Sequence, residues 1–283
     1  MYRKHIQKEC EDRVSYAYVD LFNKAYKNQL HPQDLLLLEQ HAALEDFKGK
    51  KHMMHGLLDD GLNSMSHINF INQSKDRYLV DDEFSFESIH IYAVDAESLL
   101  YQESVHEEKM LYLKIWENTY FLKQLTQLIN LANGNPYDWE LTIKIDGKHK
   151  KSDHIRNNIK QKLEKCDSQF LGIINEVYSQ QIRNAIAHSQ YCFIQNGIQY
   201  NNYQSDKYAN IQAIGMEDWE RRYTLTISLF CFFFRSLRAI HENYVAKTLA
   251  NGNVIDIRGP KLYGNQIYEC EYFDRGDRWI QKR

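Results

Sequence analysis

Only three prolines and twelve glycines interrupt 283 residues, and that scarcity constrains the fold more than any single motif does. Proline removes a backbone donor and clashes with the preceding turn, and glycine costs a helix interior about 1 kcal/mol. A chain nearly free of both, with Leu, Ile, Lys, Glu, Gln and Asn recurring throughout, keeps long stretches that nothing prevents from being helical. A mainly α fold is expected. A hydrophobic content of 43%, including 13% aromatic residues, is ample for a packed core in one large domain or two small ones.

Along the chain, residues from about 3 to 65 read as two or three helices broken at His31-Pro32. From about 66 to 92 the pattern loosens at Asn69, Asn72, Ser74, Asp76, Asp81 and Asp82. Phe84-x-Phe86 and Ile89-x-Ile91 then alternate like short strands or an irregular connection. Asp95 or Ser98 opens a long helical region to about Asn133, with Leu99, Leu111, Ile115, Leu122, Leu125, Ile129 and Leu131 recurring along it, several of them three or four apart, stopped by Gly134-Asn135-Pro136. Trp139 to Ile145 alternates like a strand and ends at Asp146-Gly147. A helix from Asp153 to Cys166 follows, then another from Ser168 to about Ser189. Tyr191 to Gln195, the turn pair Asn196-Gly197, and Ile198 to Tyr200 make a strong hairpin signal. A last long helix runs from Met216 to about Thr248. The expected division is an accessory helical region (1–93), a helical domain with a small β-hairpin (94–250) and a C-terminal tail (251–283).

A net charge of −3 argues against a polyanion field over the whole molecule, so any nucleic-acid contact must be local. One patch qualifies: Lys144, Lys148, Lys150, Lys151, Arg156, Lys160, Lys162 and Lys165 against Asp146, Asp153 and Glu164, roughly +5 over one segment. A solvated helix face explains it as readily. The five cysteines are odd in number and never form Cys-x-x-Cys, so neither a disulfide framework nor a zinc ribbon is indicated. His52 and His55 lack a third ligand nearby, and His106-Glu107-Glu108 lacks the second histidine of a zincin and reads as a charged helix face. The absence of a Gly-rich phosphate loop and of a Gly-x-Ser-x-Gly elbow weakens kinase, ATPase and hydrolase readings, and neither a metal nor a cofactor is expected. The N-terminus carries no apolar signal core, and the strongest apolar run, Tyr223 to Phe234, is about a dozen residues, short of a bilayer of about 30 Å. A cytoplasmic protein that does not enter the membrane is the expectation.

One segment suggests a chemistry. In Gln181 to Ser189, Arg183 offers a phosphate a fixed cationic fork, His188 is suited to moving protons near neutral pH, and Asn184 can hold either group. Spacing alone means little, since chance supplies about one or two such Arg/His pairs in a chain like this. Arg235 and His241 form a second pair, read as flanking a packed helix. On a helical wheel from 168 to 189, Leu171, Tyr178, Ile182 and Ile186 form one apolar stripe. Phe170, Ile173, Val177, Gln181, Asn184 and His188 form a second seam, apolar at its start and polar at its end. Two such faces require burial on two sides, inside a bundle or against another subunit. The second arrangement is favoured because it leaves Asn184 and His188 at the edge of a cleft.

Arg183-Asn184, then Ala187-His188, with a helix before and a hairpin after, resembles the HEPN superfamily of helical ribonucleases and nucleotide-binding proteins. The resemblance extends loosely over residues 94 to 250. It implies a helical bundle that dimerises so that two copies of the motif line one cleft. It also implies a metal-independent endoribonuclease of toxin–antitoxin or antiviral-defence type, restrained by an antitoxin or regulatory partner. Carried over, Arg183 and His188 are the catalytic pair and Asn184 the polar residue that follows the arginine. In a toxin subgroup a tyrosine one residue past the histidine is modified by a partner enzyme; here Ser189-Gln190 intervene before Tyr191, which argues against that partner.

The chemistry stands without the family. RNA carries its own nucleophile, the 2′-hydroxyl, so cleavage needs a base, an acid and a cation for the charge that builds on phosphorus. His188 serves as base or acid, Arg183 holds phosphate oxygens, and the products are a 2′,3′-cyclic phosphate and a 5′-hydroxyl. Lys148, Lys150 and Lys151 are candidates for phosphate contacts. Tyr191, with Tyr200, Tyr203 and Tyr208 close behind, is a candidate for stacking bases, although hairpin packing explains these tyrosines equally. Glu117, on the long helix that could line the cleft, is a candidate to assist the site, although a charged residue on a solvent face is the favoured reading. The competing class is a non-catalytic scaffold or regulatory module that binds a nucleotide or protein partner. A third is metal-dependent hydrolysis by the histidine-rich N-terminal half.

Overall fold

The computed structural model describes residues 2–40, 55–85, 96–139, 141–143, 150–204, 209–259 and 267–282. It is mainly helical with small sheets. In chain order come β1 (Tyr2–Arg3), α1 (Lys4–Asn28), α2 (Leu37–Gln40), α3 (His55–Tyr78), β2 (Leu79–Val80), α4 (Ala96–Glu117) and α5 (Thr119–Ala132). They are followed by α6 (Lys151–His154), a π-helical stretch (Ile155–Lys160), α7 (Gln161–Cys166), α8 (Ser168–Val177) and α9 (Gln180–Ala187). Last come β3 (Tyr191–Ile194), β4 (Gly197–Tyr200), β5 (Ala213–Gly215), α10 (Met216–Ala250), β6 (Val254–Arg258), β7 (Ile267–Phe273) and β8 (Arg278–Gln281).

Several elements depart from the sequence reading. The long helix expected to Asn133 is cut at Asn118, whose N–H closes a short turn on the carbonyl of Ile115 at 3.1 Å. The looser stretch after residue 66 continues α3 as far as Tyr78, while Phe86, Ile89 and Ile91 lie outside the described residues. Leu141 to Ile143 do not form a strand, and the Asp146-Gly147 turn lies outside the described residues. The C-terminal tail is instead the antiparallel sheet β6-β7-β8. The hairpin is present, but Ile194 pairs with Gly197, so its two-residue turn is Gln195-Asn196 and not Asn196-Gly197. Gly197 is needed for another reason: a Cβ there would stand 2.3 Å from the carbonyl oxygen of Ile214 on β5.

The chain divides into two compact units, each assembled from three separated stretches, a division that follows other boundaries than 93 and 250. One comprises residues 1–16, 65–118 and 171–231; the other comprises 17–64, 119–170 and 232–283.

The first unit holds β1 paired in parallel with β2, α4, α9 and the sheet β3-β4-β5. Its core is aromatic: Trp219 lies 5.6 Å from Tyr112 and 6.4 Å from Tyr223 between ring centroids, and Trp116 lies 4.9 Å from Tyr178. Glu108, read from sequence as part of a solvated face, is buried. Its carboxylate accepts from the indole N–H of Trp219 at 2.7 Å and from the Ser104 hydroxyl at 2.6 Å. Those bonds satisfy a charge that would otherwise be costly to bury.

The second unit is built around Phe121, Phe170, Phe233 and Tyr18, with Tyr18 and Phe170 edge to face at 4.9 Å. Arg258 holds Asp34 through two hydrogen bonds of 3.1 Å, both groups buried. His241, read as flanking a packed helix, lies within α10 and is buried: it bonds Asp277 at 2.7 Å and packs on Trp279 at 5.2 Å. α10 is long and apolar enough to cross a membrane by length and composition alone, because the short apolar run belongs to a 35-residue helix, yet most of its apolar window is buried.

His154 shows how burial fixes a protonation state. The Thr126 hydroxyl donates to the Leu122 carbonyl, so at 2.8 Å it accepts from Nε2–H of His154, while Nδ1 faces the Asn158 amide at 3.3 Å. Burial pulls this imidazole down to about 4, with Lys162 and Lys123 adding to the shift. Below its unfolded value of about 6.5 the unfolded chain therefore binds more protons than the folded one. Stability should be full above about pH 6.5 and fall by about 3 kcal/mol as pH drops toward 4. In urea titrations from pH 7 to 4, His154→Gln should flatten that slope; an unchanged slope would refute the assignment.

Candidate functional site

The motif lies on α9, and a break separates this helix from α8 where the sequence reading ran one helix from 168 to 189. The Val177 carbonyl accepts from the Tyr112 hydroxyl at 2.9 Å and from Arg222 at 3.1 Å, which ends α8. The Tyr112 oxygen in turn accepts from the N–H of Ser179 at 3.3 Å. Ser179 then caps α9, its hydroxyl accepting from the N–H of Ile182 at 3.3 Å.

The expected second seam is buried over its first four residues, whereas Asn184 is half-buried and His188 exposed. Phe170, Ile173 and Val177 are fully buried within the chain. Gln181 is buried as well, bonding both the N–H and the carbonyl of Ile211 at 2.9 and 2.8 Å. Such bidentate pairing fixes the loop ahead of β5 and leaves nothing apolar on this seam for a second subunit to cover.

At its C-terminal end α9 closes in a Schellman motif. Gln190 N–H reaches the Ala185 carbonyl at 2.8 Å, and Ser189 N–H reaches that of Ile186 at 3.3 Å. The residue that must turn left-handed is Ser189, with φ of 53°. A non-glycine residue there carries about 1 kcal/mol of strain. Ser189→Gly should raise stability by about 0.5–1 kcal/mol in denaturant melts, the extra freedom of glycine in the unfolded chain offsetting part of the relief. A loss of stability would show that the serine side chain contributes more than its backbone costs.

Arg183, Asn184 and Glu117 form one network. Nε of Arg183 donates to the Glu117 carboxylate at 2.6 Å, Nη2 donates to the same oxygen, and Nη1 donates to Oδ1 of Asn184 at 2.8 Å. Glu117, expected on a solvent face, is thus the arginine's ion-pair partner, and both side chains remain about one third exposed at 27% and 33%. Asn184, read as able to hold either Arg183 or His188, accepts from Arg183. His188 is the C-cap residue, with φ of −111° and ψ of 11°. Its ring is exposed and makes no hydrogen bond or ion pair among the described residues. Five residue steps place Arg183 and His188 roughly 140° apart around the helix, so one copy of the motif spreads its cation and its imidazole around the helix end.

Tyr191, three residues past His188, is half-buried on β3 and not free to stack on both faces. The ammonium of Lys109 lies 3.9 Å from its ring centroid and 3.8 Å from that of Phe193. Burial pulls Lys109 down to about 7, with Glu108 acting the other way, and burial pushes the Tyr191 hydroxyl up. Of the candidate phosphate contacts, Lys150 is exposed and Lys151 half-buried, both in the second unit, while Arg183, Asn184, His188 and Tyr191 belong to the first. Lys148 and His52 lie outside the described residues. Among the described residues no group of three His, Cys, Asp or Glu side chains is placed to hold a metal ion. Sequence reasoning missed Lys109 because a lysine next to Glu107-Glu108 looks like any residue of a charged helix.

Comparison of the chain with protein-family models, curated proteins and solved structures gives no match.

Proposed function

We propose that this protein is a metal-independent endoribonuclease of HEPN type, cutting RNA through Arg183 and His188 in a toxin or host-defence setting. The observation that carries the reading is an accessible imidazole, without a hydrogen-bond partner among the described residues, at the end of the same helix that holds an oriented guanidinium. His188 takes the proton of the 2′-hydroxyl as its oxygen attacks phosphorus, or returns a proton to the departing 5′-oxygen. The second role falls to His188 of another copy, since one copy of the motif carries a single imidazole. Arg183, kept in place by Glu117 and Asn184, meets the phosphate oxygens as charge accumulates. The homodimer is part of this proposal, with its contact elsewhere than the buried seam.

Purified protein incubated with single-stranded RNA in EDTA should yield fragments with 2′,3′-cyclic phosphate and 5′-hydroxyl ends. Cleavage abolished by EDTA would instead favour metal-dependent hydrolysis. The second reading rests on the Glu117 ion pair, which offsets the charge that a phosphate would need: a silent module binding a nucleotide or protein partner. RNA left intact with and without divalent cations would favour that module.

A further inference from the structure

Lys109 is 2% exposed, and its Nζ has no hydrogen-bond partner among the described residues. A methionine or leucine would fill such a place without removing a charge from water. What the ammonium meets is the faces of two rings, Tyr191 and Phe193, which stand on the same side of β3 and lie edge to face at 6.3 Å and 84°. One turn earlier on α4, His106 meets Phe193 edge-on at 5.5 Å. The charge therefore acts where β3 docks on α4, in a geometry that cation–π attraction makes specific.

Little slack separates that dock from His188. Ser189 is locked in its left-handed turn, Gln190 N–H is held by Ala185 at 2.8 Å, and the Gln190 carbonyl accepts from Asn201 N–H at 2.9 Å. The same helix α4 carries Glu117, which holds Arg183. We infer, resting on the ribonuclease reading, that Lys109 is a positioning residue: by clasping Tyr191 and Phe193 it pins β3 to α4 and fixes where the His188 imidazole stands. One helix then sets both halves of the motif, the cation through Glu117 and the imidazole through Lys109.

The test uses the full chain with Lys109→Met and Lys109→Arg, read by the NMR signals of the His188 imidazole and the Tyr191 ring and by steady-state RNA cleavage. Lys109→Met should move both sets of signals and lower kcat about tenfold to a hundredfold with KM changed less than about twofold. Lys109→Arg, which keeps a cation on the rings, should restore both. Unmoved His188 signals in Lys109→Met would overturn the inference, as would an arginine variant indistinguishable from the methionine one, since that would leave only packing. Should Lys109→Met fail to fold, Tyr191→Leu, which removes one ring of the clasp, must move the His188 signal, and its failure to do so is equally fatal. If the wild type cuts no RNA, the ribonuclease reading fails while the NMR arm still decides whether Lys109 positions His188.

Discussion

His188→Ala is expected to lower RNA cleavage by about 10²–10⁴-fold, the usual contribution of a positioned general acid or base. The loss should appear in kcat rather than KM, because the imidazole acts on protons in flight and not on substrate at rest. The variant is a clean probe. The His188 ring is exposed, makes no hydrogen bond or ion pair among the described residues and belongs to the C-cap, whose backbone N–H bond to Asn184 an alanine keeps, so its removal should change stability by no more than about 0.5 kcal/mol. Arg183→Ala should cost a comparable factor, about 10²–10³-fold, but less cleanly, since it leaves Glu117 without its ion pair. Initial rates on a defined single-stranded RNA in EDTA measure both. A His188→Ala protein that keeps more than a tenth of the wild-type rate would end the catalytic assignment.

The largest effect on stability is expected at Gly197. Its would-be Cβ stands 2.3 Å from the Ile214 carbonyl oxygen and 3.2 Å from the carbonyl carbon, and both are backbone atoms of a paired strand that cannot rotate away. Gly197→Ala must therefore separate β4 from β5 or distort the turn, where the Asn196 carbonyl also accepts from the N–H of Met216 at 3.1 Å as α10 begins. Overpacking against backbone should cost about 3 kcal/mol and lower Tm by about 5–10 °C. A calorimetric Tm within a degree of wild type would show that the strands part more easily than the register suggests. The hairpin follows the motif helix directly, so this variant should also lose cleavage, through misplacement and not through chemistry.

Much of the local structure was legible because it depends on local rules. The stop at Gly134-Asn135-Pro136, the hairpin between Tyr191 and Tyr200 and the long helix from Met216 are governed by backbone preferences that residues carry with them. The cut at Asn118 and the break at Tyr178-Ser179 were hidden. At the second of these the break depends on Tyr112 and Arg222, distant in sequence, competing for the carbonyl of Val177. Across that break Phe170, Ile173, Val177 and Gln181 are all buried, and a helical wheel separates faces without saying whether the same chain or a second subunit covers them. Gly197 was noticed as turn chemistry and is required by a close approach of β5, a strand too short to announce itself.

A mainly helical chain, a hairpin after the motif helix, and an arginine, an asparagine and a histidine at the end of that helix follow from the sequence alone, because proline and glycine scarcity, periodicity and residue identity are properties of neighbours along the chain. Only the tertiary structure decided that Glu117 neutralises and orients Arg183, that Asn184 serves the arginine and not the histidine, and that Lys109 is buried against Tyr191 and Phe193. A charge in water is nearly indifferent to its surroundings. Its cost and its usefulness appear only once packing has removed the water, and which groups then lie within reach is set by how distant segments meet.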